Sequence, residues 1–150
     1  LTWALSSDEG LSNLLVDKTS NYENYVSKTK VEGLFVLTSG HVPPNPSELL
    51  NSNRMNEIIK QLEAEYDLVF FDMPPVVSVT DAQIMATKTD GVVFVVRRGI
   101  AHTDDVKHAK ELLDMVQANV LGVVFNGAEK KTDRSYSYYG YGYNLEGEEE

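Results

Sequence analysis

The sequence predicts an α/β layered fold, on three observations. Four short apolar runs are separated by amphipathic helical patterns, the runs are continuous rather than alternating, and the succession of strand and helix holds until about residue 127. Continuous β-branched and aromatic runs suit parallel strands covered on both faces, and strand–helix–strand succession builds such a sheet with right-handed crossovers.

Taken in order, the first 30 residues carry the weakest pattern: 11–16 reads as one helical turn and the polar stretch 17–30 as loop. The strand candidates are 34–37, 68–71, 92–96 and 120–125. Between the first two, Ser47 is placed to cap a helix whose Met55, Ile58, Ile59, Leu62 and Tyr66 fall at i, i+3, i+4, i+7 spacing. Thr80-Asp81-Ala82-Gln83 reads as a capping box opening a shorter helix to about Thr87. Thr103 is placed to cap a third helix, with Val106, Ala109, Leu113 and Val116 on one face and Asp104 and Asp105 in its first turn.

The chain therefore divides into a globular part, 1–127, and a tyrosine-rich acidic tail, 128–150. Tyr136, Tyr138, Tyr139, Tyr141 and Tyr143 are spaced by Ser137, Gly140 and Gly142 and followed by Glu146 and Glu148 to Glu150. Glycine-interrupted tyrosines beside a glutamate run cannot make a regular buried face, so this tail is expected to be flexible and displayed. Each displayed hydroxyl can accept a phosphoryl group, which adds about two negative charges.

Composition narrows the function. A chain of 150 residues, 42% hydrophobic, has the size of one ordinary domain. Its net charge of −10 and lack of a basic stripe exclude a nucleic-acid partner, because duplex binding rests on clustered Lys and Arg. The absence of cysteine removes disulfide and thiolate–metal chemistry. No apolar run approaches the roughly 20 residues that cross a bilayer, so a soluble, cytosolic protein is expected. The chain opens on Leu1 rather than Met, which leaves room for residues upstream.

In an open parallel sheet, ligands gather at the carboxyl ends of strands. Three features fall there. Leu68-Val69-Phe70-Phe71 ends in Asp72 and then Met73-Pro74-Pro75, so the prolines stop pairing and hold the carboxylate in place. A pre-placed carboxylate suits Mg²⁺ in a nucleotide site; equally, a strand-ending Asp can do no more than cap the next turn. The second feature, Thr38-Ser39-Gly40-His41-Val42-Pro43-Pro44-Asn45-Pro46, is a stiff connector, and His41 has no partner at metal-ligand spacing. The third is Asn126-Gly127, whose amide can read a base edge or form an Asn-Gly turn. No Gly-Lys pair occurs, so the lysine loop that holds β- and γ-phosphates is not in this sequence.

Together these pieces resemble the C-terminal portion of a bacterial tyrosine kinase of the capsule and exopolysaccharide type. The resemblance rests on Gly10-Leu11-Ser12-Asn13-Leu14-Leu15, on Pro43-Pro44-Asn45-Pro46-Ser47-Glu48-Leu49-Leu50, and on Tyr66 to Pro75. It continues through Asp81-Ala82, Asp90 to Val96, Leu121 to Asn126 and the tyrosine cluster. It implies a P-loop NTPase-like α/β domain of the deviant Walker class that phosphorylates protein tyrosines with Mg-ATP. Asp72 then corresponds to the Walker B carboxylate, both catalytic and metal-binding, and Asn126 to an adenine contact. Tyr136, Tyr138, Tyr139, Tyr141 and Tyr143 correspond to the autophosphorylation cluster. The implied partners are a membrane adaptor, other kinase copies and a cognate tyrosine phosphatase, with the chain peripheral at the inner face of the plasma membrane.

The resemblance also implies that the phosphate-binding loop and a second Asp-bearing strand lie upstream of residues 10–15, where only nine residues stand here. Two central strands would then be missing and sheet edges left unpaired, an aggregation hazard. The expectation is therefore that this chain alone has little or no kinase activity. The alternatives are a non-catalytic phosphoacceptor or assembly regulator of an intact kinase, and a positioning ATPase of the MinD/ParA type.

Overall fold

The computed structural model describes residues 9–17 and 19–128. The tyrosine cluster and nearly all of the expected tail lie outside the described residues.

Helix α1, Leu11–Val16, buries Leu14 and Leu15. After a 3₁₀ turn at Tyr22–Asn24, strands β1, Val26–Lys28, and β2, Phe35–Leu37, pair antiparallel with Ser27 opposite Val36. Gly33, at φ +76°, supplies the left-handed turn between them. The expected loop at 17–30 thus contains a strand, and 34–37 enters a hairpin rather than a parallel sheet.

Helix α2 is the short Pro46–Leu50, and α3 runs Asn53–Glu65. Ser52, not Ser47, caps α3 by accepting a hydrogen bond from Met55 N. The apolar spacing holds as expected: Met55, Ile58, Ile59 and Leu62 are buried and form one core cluster with Leu14, Leu15, Tyr22 and Met85. Arg54 ties α3 to the preceding loop by donating from Nη2 to the Ser20 carbonyl at 2.8 Å.

Residues 68–71 form no helix and enter no ladder among the described residues. Val69, Phe71 and Met73 pack on the α3 cluster, while Leu68 and Phe70 are 74% and 82% exposed. The expectation of a strand covered on both faces fails here because the neighbours that would pair with it are not supplied by the described residues.

Helix α4, Asp81–Ala86, starts after Thr80 without a side-chain cap, so the expected capping box does not form. Gln83 instead donates from Nε2 to the Val76 carbonyl at 3.3 Å. Strand β3, Val92–Arg97, helix α5, Thr103–Met115, and strand β4, Val120–Asn126, make a βαβ unit with parallel strands, Val95 opposite Val124. His102 rather than Thr103 holds the N-cap position of α5. Ala109 and Leu113 are buried against Val76 and Ala86, with Val92, Phe94 and Val116 packed around them. One face of β3 is therefore half-buried, the other is exposed, and β4 is exposed along its whole length.

Candidate functional site

The two glycine-marked segments at the end of β2 cross at closest approach. Leu11 N donates to Thr38 O at 2.8 Å, Ser12 N to Ser39 O at 3.0 Å, and Thr38 Oγ1 to Glu9 O at 3.0 Å. A Cβ on Gly10 would stand 2.2 Å from the Thr38 oxygen, and Gly40 has φ +73°, so neither position takes a side chain without movement. The beginning of α1 is locked onto the loop that leaves β2.

The first residues of that loop, Thr38 and Ser39, and the 68–73 segment line one cavity of about 530 Å³. Leu11, Phe35, Leu37, Ile58, Phe70 and Phe71 are among its apolar lining, and Thr38, Ser39 and Asp72 are among its polar members. Asp72 is exposed and follows the apolar segment, but that segment is not the buried strand the sequence predicted, because Leu68 and Phe70 face water and nothing among the described residues pairs with it. Sequence reading singled out the carboxylate but missed that two hydroxyl side chains share its cavity. The signal was available in Thr38-Ser39, which follows a strand candidate as Asp72 does.

The structure does not bring Asn126 onto this cavity. It ends β4 in register with Arg97, and its carbonyl accepts from Arg98 N at 2.9 Å. Gly127 follows at φ +74°, which realises the Asn-Gly turn. Two arginines at the carboxyl end of β3 thus stand beside Asn126, a juxtaposition that linear spacing could not show. His41 lies on a separate cavity of about 410 Å³ with Ser12, Asn13, Asp17, Tyr25, Val42 and Pro43. Asp17 accepts from the hydroxyls of Ser20 and Thr19, which hold its carboxyl below the usual range, at about 2.

Among the described residues no three His, Cys, Asp or Glu side chains could hold a metal ion. A single exposed carboxylate nevertheless fits Mg²⁺, which keeps several waters and takes its remaining ligands from substrate phosphates. Asp72 is therefore adequate for a metal that arrives with a nucleotide and inadequate for a resident metal.

No protein-family model matches the chain. It is 40% identical over 136 residues to the tyrosine-protein kinase YwqD of Bacillus subtilis, a match that covers 91% of this chain and 57% of the relative. The chain belongs to the bacterial tyrosine kinase family. Its fold agrees with solved members of that family. The kinase domain of the Escherichia coli tyrosine kinase ETK superposes with a TM-score of 0.78 at 34% identity, covering 91% of this chain and 53% of that one. The chimerical protein CapA2B2 gives 0.79 at 44% identity, covering 84% and 55%. The chain spans little more than half the length of the kinases it matches. No helix among the described residues is long and apolar enough to cross a membrane.

Proposed function

We propose that the chain contributes the Asp72 half of a Mg-ATP-dependent protein-tyrosine kinase site and regulates capsular or exopolysaccharide synthesis and export. The observation that carries this reading is Asp72 itself: an exposed carboxylate on a cavity shared with Thr38 and Ser39, in a chain 40% identical to a tyrosine kinase. In this reading Asp72 would hold Mg²⁺, directly or through water, and so would bring positive charge to the nucleotide's terminal phosphates. A tyrosine phenol would take the γ-phosphoryl group, its O–P bond forming as the bond to the β-phosphate breaks, with ADP leaving and the phenolic proton released to solvent. Tyr136, Tyr138, Tyr139, Tyr141 and Tyr143 are the acceptors, and Asn126 contacts the adenine edge.

The phosphate loop and the strands that pair with 68–71 come from outside the matched stretch. The length of YwqD that this chain leaves uncovered, the unladdered 68–71 segment and the lack of any Gly-Lys pair support that part of the reading. A membrane adaptor holds the assembly at the inner membrane face, and a tyrosine phosphatase resets the tail. The kinase names of the relatives favour this over a positioning ATPase.

The test is radiolabel transfer from Mg-ATP. Alone, the chain is expected to stay unlabelled; mixed with intact YwqD it is expected to label on the tail and to lose the label when the five tyrosines become phenylalanine. Labelling alone would show a complete site in this chain and overturn the half-site reading. No labelling in either tube would sink both kinase and acceptor.

A further inference from the structure

We propose that Ser47 is a positioning residue that fixes the spacing between the loop that leaves β2 and the loop that leaves Asp72, two segments whose first residues line the Asp72 cavity. Ser47 is the second residue of α2, yet its hydroxyl makes no helix cap. It donates to Asp81 Oδ1 at 2.7 Å and lies 3.1 Å from Thr80 Oγ1. A serine hydroxyl has one proton and an ionised carboxylate only accepts. With the serine proton on Asp81, Thr80 must be the donor to Ser47, so the three side chains form a directed chain from Thr80 through Ser47 to Asp81.

Thr80 stands where the N-cap of α4 belongs, and its side chain caps nothing there. The local use of that hydroxyl has been given up for a contact 33 residues away in sequence. Thr80 also has helical dihedrals, φ −78° and ψ −9°, in place of the extended ones of an N-cap, so the capping box read from Thr80 to Gln83 does not form.

The consequence follows from where the tie sits. Ser47 closes the loop that begins at Thr38 and Ser39, and Thr80 closes the loop that begins at Asp72. Both loops are stiffened by proline, Pro43, Pro44 and Pro46 in one, Pro74 and Pro75 in the other, and proline holds φ near −65°. Inner bonds remove further slack: Asn45 Nδ2 donates to Glu48 Oε2 at 2.7 Å, and Ser78 N to Pro75 O at 2.9 Å. A displacement at Ser47 is therefore passed to Ser39 and Asp72 rather than absorbed on the way. The functional meaning rests on the metal reading of Asp72; the mechanical claim does not.

The absence of native cysteine allows one nitroxide on each loop, at His41→Cys and Ser78→Cys, both exposed positions. Electron-spin distance measurement is expected to give one narrow distribution for the otherwise wild-type chain and for Ser47→Thr, which keeps the hydroxyl. Ser47→Ala should at least double its width while far-UV circular dichroism stays unchanged. A Ser47→Ala distribution that superposes on the wild type would overturn the proposal. Should Ser47→Ala fail to fold, Thr80→Val at an exposed position carries the same expectation and the same refutation. Mn²⁺ added to the labelled chain together with ATP, whose phosphates supply the remaining ligands, tests the metal reading separately. Relaxation enhancement that disappears in Asp72→Asn supports it, and no binding removes it, while the distances still decide the tie.

Discussion

Phe70 offers the sharpest test of the open face. Its ring is 82% exposed beside Leu68 at 74%, in a segment whose backbone pairs with nothing among the described residues. An aromatic side chain buries roughly 200 Å² when covered, so about four-fifths of that, near 160 Å², is available at ~25 cal/mol per Å². That amounts to about 4 kcal/mol, an upper bound, for any surface that covers the ring. Within this chain almost none of it is realised. Phe70→Ser should therefore shift the melting temperature by no more than about 2 °C, since surface changes stay within roughly 0.5 kcal/mol. Ile58→Ala, at a fully buried position in the α3 cluster, should cost about 2–5 kcal/mol, or roughly 6–15 °C. In sedimentation velocity, Phe70→Ser should also reduce self-association, which an exposed apolar edge promotes. A Phe70→Ser melting drop as large as that of Ile58→Ala would refute the open face. So would unchanged association of a parent chain that clearly self-associates.

Other expectations follow from buried groups and close contacts. Tyr22 is buried, and the Glu65 carboxylate, then burial, holds its ionisation above the ordinary tyrosine range, although the pair falls short of hydrogen-bond geometry. Tyr22→Phe should be neutral or stabilising by up to about 1 kcal/mol in chemical denaturation, since a poorly partnered hydroxyl leaves the core. The raised Tyr22 value also means that its share of stability is complete below about pH 10 and falls above it. The Asp17 carboxyl is depressed to about 2, so its contribution is present above the unfolded carboxylate range and declines as pH falls toward 2. Its carboxyl NMR resonance should still sit at the ionised plateau at pH 3.5. Gly10→Ala places a methyl 2.2 Å from the Thr38 carbonyl and should cost about 1–3 kcal/mol by thermal melting.

Legibility differed between elements for identifiable reasons. The core faces of α3 and α5 were readable because 3.6-residue periodicity is carried by each helix alone; four of the five positions read for α3 are buried, and the fifth, Tyr66, is half-buried at its C-cap. The parallel pair β3–β4 was readable from two long β-branched runs flanking one helix. The caps were not. Ser47 lies inside the separate short helix α2, out of reach of the first N–H groups of α3, so Ser52 takes that cap. Strand β1 was hidden because three residues, one apolar, carry no periodicity.

By itself the sequence determined the apolar helix faces, the family resemblance and the position of Asp72 after an apolar run. These are local properties, set by residue type and spacing along a few turns. Only the tertiary structure decided that Thr38 and Ser39 share the Asp72 cavity, that Asn126 lies beside Arg97 instead, and that 68–71 has one packed face and one open face. Those outcomes depend on which distant segments meet, and a segment's own residues do not specify its neighbours.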